Sequence, residues 1–185
     1  MEFAFYHSLV DDDQETARPA LQAIGRVTAA WARLEHHLDA LIIQINKPHH
    51  CERIFEPKHP ISFSKKIELL KRWFNQYPPL SEYTEDMRYL TSKLKSLSKE
   101  DGRVPLSRNV LLHAIPASYE AASSTLTLHH MEFLENGDIR SRHIALTLGQ
   151  LSTFFDLIQM ANGFLATITR EIFTPEGYAK LRKQR

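Results

Sequence analysis

The chain has 185 residues, of which 43% are hydrophobic and 24% charged, and its formal net charge is +1. That length suits one domain with a substantial core, and that composition excludes a disordered tether. A pI of about 7.9 excludes a globally basic nucleic-acid binder, so any RNA site has to be a local patch.

The single cysteine, Cys51, excludes an internal disulfide and suits a reducing cytoplasm. No apolar run reaches the ~18 residues of a membrane span, and the N-terminus lacks a signal-peptide pattern. The expectation is therefore a cytoplasmic protein with no membrane partner, read as a single domain over residues 1–185.

Residues 1–15 form an N-terminal arm in this reading. Phe3, Phe5 and Tyr6 can dock on a core, and Asp11-Asp12-Asp13 can favour the start of a following helix. From about Thr16 to Ile45, apolar residues recur at three- and four-residue steps: Leu21, Ile24, Val27, Trp31, Leu34, Leu38, Leu41, Ile42 and Ile45. That spacing predicts one long helix, with Pro19 tolerated near its start and Lys47-Pro48 ending it. Glu35 falls at the edge of the apolar arc, where a carboxylate is either a solvated rim residue or needs a cationic partner. Arg108 and Lys66 are the candidates.

His49, His50 and Cys51 follow in a loop. Zinc sites commonly draw four ligands in two pairs, and consecutive residues seldom converge on one ion. The stretch reads as a polar loop, with no metal and no cofactor expected.

Ser62 or Ser64 can cap a second helix of about residues 63–77, with Phe63, Ile67, Leu70, Trp73, Phe74 and Tyr77 as its apolar stripe. Lys66 falls inside the stripe and Lys65 outside it. An inward lysine can snorkel or supply charge to a phosphate. Pro78-Pro79 stops this helix, and a third is predicted over about Leu80–Lys99, with Tyr83, Met87, Leu90, Leu94 and Leu97 inward. Asp101-Gly102 breaks it.

Pro105 opens the next segment, which contains Arg108-Asn109-Val110-Leu111-Leu112-His113-Ala114. As a helix, Ser107, Val110, Leu111 and Ala114 share one side, and Arg108, Leu112, Asn109 and His113 share the other. Asn109 and His113, four apart, are direct neighbours. Leu112 interrupts a polar face, which a second subunit covering that face would explain. Pro116 is expected to end the helix.

Over residues 124–146 the period changes to alternation, with Asn136-Gly137 as a two-residue hairpin turn. In that register His130 and His143 face each other, on a ribbon that also carries His129, Arg140 and Arg142. The ribbon reads either as a solvated polar surface or as an RNA contact. Thr147-Leu-Gly-Gln150 is a capping box opening a last long helix to about Ile172. Pro175 ends it, and residues 175–185 read as a basic tail.

An arginine, a small polar residue, three further residues and a histidine, as in Arg108-Asn109-x-x-x-His113, resemble the signature of the HEPN superfamily. Trp31-Ala-Arg-Leu34-Glu35 and Phe63-Ser-Lys-Lys66-Ile67 resemble elements that precede this motif in small bacterial members. The resemblance covers roughly residues 20–171. It departs from the simplest family pattern at the Asp101-Gly102 break, where a continuous third helix would be expected.

What the resemblance implies is a mainly α fold: a four- to five-helix HEPN-like bundle with one β-hairpin before the last long helix. It further implies a homodimer and a metal-independent endoribonuclease of a toxin or phage-defence system, acting on RNA with a cognate antitoxin as a possible partner. The residues fit that chemistry. RNA carries its own nucleophile, so cleavage needs proton transfer, for which His113 serves, and charge stabilisation, for which Arg108 serves. Asn109 can orient His113 or bond the phosphate, with Glu35 and Lys66 in support. The alternative is a non-catalytic dimeric interaction or nucleotide-binding module, in which Arg108, Asn109 and Glu35 form a structural polar network.

Overall fold

The computed structural model describes residues 14–46, 60, 62–97, 107–134 and 136–182. The N-terminal aromatics and Asp11-Asp12-Asp13, the loop with His49, His50 and Cys51, the Asp101-Gly102 break, Pro105 and the last residues of the tail lie outside them. So do the side chains of Leu97, Arg108 and Asn109.

Helix α1 (Gln14–Asn46) is a single run of 33 residues. Its buried side chains repeat at helical spacing from Ala17 and Ala20 through Val27, Trp31, Leu34, Leu38 and Leu41 to Ile45. Helix α2 (Phe63–Gln76) starts on the Ser62 cap, whose hydroxyl accepts from the Lys65 amide at 3.4 Å. Lys66 is buried in its apolar stripe, as its position implied, and Lys65 is exposed.

The third helical segment divides in two. Pro78-Pro79 opens a 3-10 helix (Pro78–Tyr83), and helix α3 (Thr84–Leu97) follows. Helix α4 (Arg108–His113) carries the motif.

Strands β1 (Ile115–Glu120), β2 (Thr125–Phe133) and β3 (Ile139–Thr147) form an antiparallel sheet in that order. Helix α5 (Leu148–Ile172) and helix α6 (Pro175–Arg182) complete the described chain. No helix among the described residues is long and apolar enough to cross a membrane.

Four expectations need correcting. The β element is a three-stranded sheet rather than a lone hairpin. Pro116 lies within β1 instead of merely ending the motif helix, as an edge strand allows. The residue preceding a proline is steered to extended backbone, which suits Ile115 opening a strand. Pro175, read as the start of a basic tail, opens α6 as its first residue, where its missing N–H breaks no helical bond. The Thr174 hydroxyl accepts from the Gly177 amide at 3.0 Å and caps that helix.

The fourth correction concerns hairpin register. The observed pairs are Leu126↔Leu146, Leu128↔Ile144, His130↔Arg142 and Glu132↔Arg140. His143 faces His129, not His130. The Leu134 amide bonds the Asp138 carbonyl at 2.8 Å, so the loop has three residues with Gly137 at φ +86°, not two. A three-residue loop ending on a left-handed glycine is the next commonest hairpin connection. A two-residue loop would slip the pairing by one and turn Ile144 and Leu146 out of the face shared by Leu126 and Leu128. All four are buried, Leu126 and Leu146 completely.

The chain divides into two compact units, neither a single stretch of sequence. One comprises the chain through Ala30 and then Leu97–Leu157; the other comprises Trp31–Ser96 and Ile158–Arg185. The first buries Val27, Val110, the inner sheet face, Leu151 and Phe154. The second buries Trp31 to Ile45 of α1, the α2 stripe, Leu80, Met87, Leu90, Leu94 and the second half of α5.

Candidate functional site

The motif helix is only 6 residues long, too short to hold itself together in water. Its cap and its packing hold it. Ser107, in extended conformation at φ −111° and ψ 165°, accepts from the Val110 amide at 3.4 Å. Val110 and Leu111 are buried, as the helical phase required. On the other side Leu112 is 40% exposed and His113 is exposed. Of the motif's three functional side chains, His113 alone lies among those described.

The helix packs on β2, and this contact sets the surroundings of His113. Along the inner face of the sheet the apolar pairs end at Leu128↔Ile144. The next two cross-strand pairs, His130↔Arg142 and Glu132↔Arg140, are polar. Beside the last turn of α4 lies a cavity of about 590 Å³, lined by His113, His130, Glu132, Arg142 and Ser107 together with the apolar Val110, Met131 and Phe133. His130 is 6% exposed and Arg142 half-buried.

Glu132 is held by Arg140, whose Nε donates to the carboxylate at 3.1 Å and whose Nη2 donates to the same oxygen. That bond and the Arg140 charge hold the Glu132 carboxyl below its ordinary range, and the charges of Arg142 and His130 act in the same direction. Arg140 thus offsets the cavity's carboxylate. The Arg142 guanidinium and the His113 and His130 imidazoles line the same space, and a guanidinium can take an anion through paired N–H groups.

The other sheet face carries the remaining histidines. His129 and His143 stack with ring centroids 5.1 Å apart, and His129 Nε2 meets Ser141 Oγ at 2.5 Å. Met131, Phe133 and Ile139 stand exposed beyond them, so this face is neither a uniformly polar ribbon nor a basic one.

Glu35 and Lys66 belong to the other compact unit. The Trp31 indole N–H donates to Glu35 Oε1 at 3.1 Å, one helical turn away. The Trp31 ring meets Phe63 at 5.1 Å between centroids. Lys66 Nζ lies 2.7 Å from Asp39 Oδ1 and donates to Oδ2 at 2.8 Å. The lysine is thus compensated by Asp39, which the sequence reading did not single out. The only signal for Asp39 was its place one turn beyond Glu35 on the same side of α1.

His130 and Arg142 were noticed as ribbon residues, but not as neighbours of His113. Only the observed register turns both onto the inner face. Among the described residues no three His, Cys, Asp or Glu side chains group as metal ligands would. No protein-family model matches this chain, and no curated protein or solved structure matches it either.

Proposed function

We propose that the protein is a metal-independent endoribonuclease of the kind its HEPN resemblance implies. The observation that carries this reading is the cavity at the end of the motif helix, where exposed His113 and half-buried Arg142 border one space large enough for a nucleotide phosphate and sugar. Imidazole is the side chain suited to exchange protons near neutral pH. A guanidinium binds phosphate through paired N–H groups and stabilises charge as it builds on the phosphorus oxygens.

In the proposed reaction the 2′-hydroxyl of the substrate gives up its proton and attacks the adjacent phosphorus. The bond to the 5′-oxygen breaks, leaving a 2′,3′-cyclic phosphate and a 5′-hydroxyl. His113 takes part in proton transfer, Arg108 holds the phosphate and stabilises the developing charge, and Asn109 orients His113 or bonds the phosphate. A homodimer is part of the proposal, with the exposed Leu112 at or near its seam. A toxin or phage-defence role and a cognate antitoxin follow from the resemblance alone, and a cytoplasmic setting is proposed from the single cysteine.

Incubation of the purified chain with total RNA tests the activity. Cleavage should survive excess chelator, leave cyclic-phosphate ends and spare the all-deoxy strand. His113→Ala should reduce the rate roughly a hundred- to ten-thousand-fold. Its stability should stay within about 0.5 kcal/mol of wild type, because the side chain is exposed. Activity abolished by chelator and restored by a divalent ion would overturn the mechanism. Equal cleavage by wild type and His113→Ala would leave the non-catalytic module as the better reading.

A further inference from the structure

Cleavage through the 2′-hydroxyl needs two proton transfers, one from the attacking oxygen and one to the departing oxygen, and a single imidazole cannot be base and acid in the same step. A two-fold dimer could bring two copies of His113 together. The sheet offers another source within the same chain. His130 lines the same cavity as His113, from β2 rather than α4. Its cross-strand partner Arg142 lines that cavity too. The side chains have separate origins, one on the last turn of a helix and two on a paired sheet position, yet they meet at one space.

We infer that His113 and His130 form an acid–base pair within one chain, with Arg142 holding the phosphate between them. This inference rests on the ribonuclease reading and adds catalytic residues that the motif does not contain. One imidazole accepts the 2′-hydroxyl proton as the O2′–P bond forms. The other, protonated, delivers its proton to the 5′-oxygen as the P–O5′ bond breaks. The two protons balance, and the pair is left with its roles exchanged, ready to hydrolyse the cyclic phosphate by the reverse proton movements with water. No oxidant, metal or further reactant enters.

Among the described residues, the titratable and charged groups near His130 include Arg142 across the strand pair, Arg140 and Glu132 one pair further along, and His113 from the helix. Glu132 and Arg140 bond each other, so their opposite charges largely cancel at His130. Burial distinguishes the two imidazoles: His130 is 6% exposed, whereas His113 is open to solvent. A deeper and a shallower group suit a scissile phosphate lying across the mouth of the cavity.

The test is the pH dependence of RNA cleavage by the full chain, by His113→Gln and by His130→Gln. Wild type should give a bell-shaped profile. Each variant should lose a different limb, with a rate lowered roughly a hundred- to ten-thousand-fold. The double variant should fall little below the worse single, because the two groups act as a unit. A merely structural His130 would lower the rate at every pH and leave both limbs in place, overturning the proposal.

A wild type that cleaves no RNA overturns the ribonuclease reading and this pair together. Cleavage lost with His113→Gln but unchanged with His130→Gln overturns the pair alone. Should His130→Gln fail to fold, the wild-type chain gives the answer by nuclear magnetic resonance. Cytidine 3′-monophosphate should shift the imidazole signals of both His113 and His130, and a shift confined to His113, or none, overturns the pairing.

Discussion

The Lys66–Asp39 pair makes a sharp prediction, because its two ends differ in burial. The Lys66 side chain is 8% exposed and that of Asp39 32% exposed, with the ammonium 2.7 Å from the carboxylate. Removing one partner of a fully buried pair strands the other charge and costs about 3–5 kcal/mol. Here the damage depends on which partner goes. Asp39→Ala leaves the ammonium inside the apolar stripe of α2, among Phe63, Ile67 and Leu70, all buried. Because Asp39 is a third exposed, the pair is not fully buried, and a loss of about 2–3 kcal/mol is expected, somewhat below the fully buried range.

Lys66→Met removes the charge but keeps the stem. It leaves a carboxylate that is already a third open to water, so its effect should be within about 1 kcal/mol of zero. In a chain of this size 1 kcal/mol corresponds to about 2–4 °C in melting temperature. Asp39→Ala should therefore melt about 4–12 °C lower and Lys66→Met within a few degrees of wild type, followed by circular dichroism. Asp39→Asn, which keeps an oxygen for the ammonium, should fall between. Equal melting temperatures for Asp39→Ala and wild type, or a larger loss in Lys66→Met, would refute the assignment of Lys66 as a charge that Asp39 compensates.

Other consequences are simpler to state. Gly177→Ala should destabilise α6, because the added methyl would fall within the van der Waals envelope of the Ile172 carbonyl oxygen, a backbone atom that cannot swing aside; amide exchange over Pro175–Arg182 should accelerate. Arg140→Gln should return the Glu132 carboxyl toward its ordinary range, read by side-chain carbon shifts against pH, since Arg140 is the main cause of its depression. A carboxyl depressed by folding stabilises the folded chain above its unfolded value, and that contribution disappears as pH falls through the folded value. Wild type should lose it on acidification, and Arg140→Gln should have little of it to lose. Light scattering should find a two-fold dimer at micromolar concentration and a weaker one for Leu112→Glu; a wild-type monomer would remove the seam from the proposal.

Much of the helical architecture was legible from local signals. The period from Val27 to Ile45, the Ser62 cap and the Thr147/Gln150 capping box depend on residues within one or two turns. The box appears as read, with the Gln150 amide donating to Thr147 Oγ1 at 3.1 Å and the Thr147 amide donating to Gln150 Oε1 at 2.9 Å. The motif helix was legible for the same reason: Val110 and Leu111 are inside, and Leu112 and His113 outside.

What the local pattern could not decide were choices made between distant segments. Strand β1 has a proline at its second position and a register shift between Pro116 and Ser118, so no alternation survives to read. Asn136-Gly137 marked the turn, but loop length was decided by burying Ile144 and Leu146 on the face of Leu126 and Leu128. That one-residue choice is also what turns Arg142 toward His130 and both toward His113. The sequence by itself determined where the long helices form and which face of each is apolar, because those are short-range properties of spacing and capping, whereas it left α6 and the division of the third helical segment unread. The tertiary structure alone decided the sheet register, the compensation of Lys66 by Asp39 and the composition of the cavity, because each depends on which distant side chains have to share a buried face.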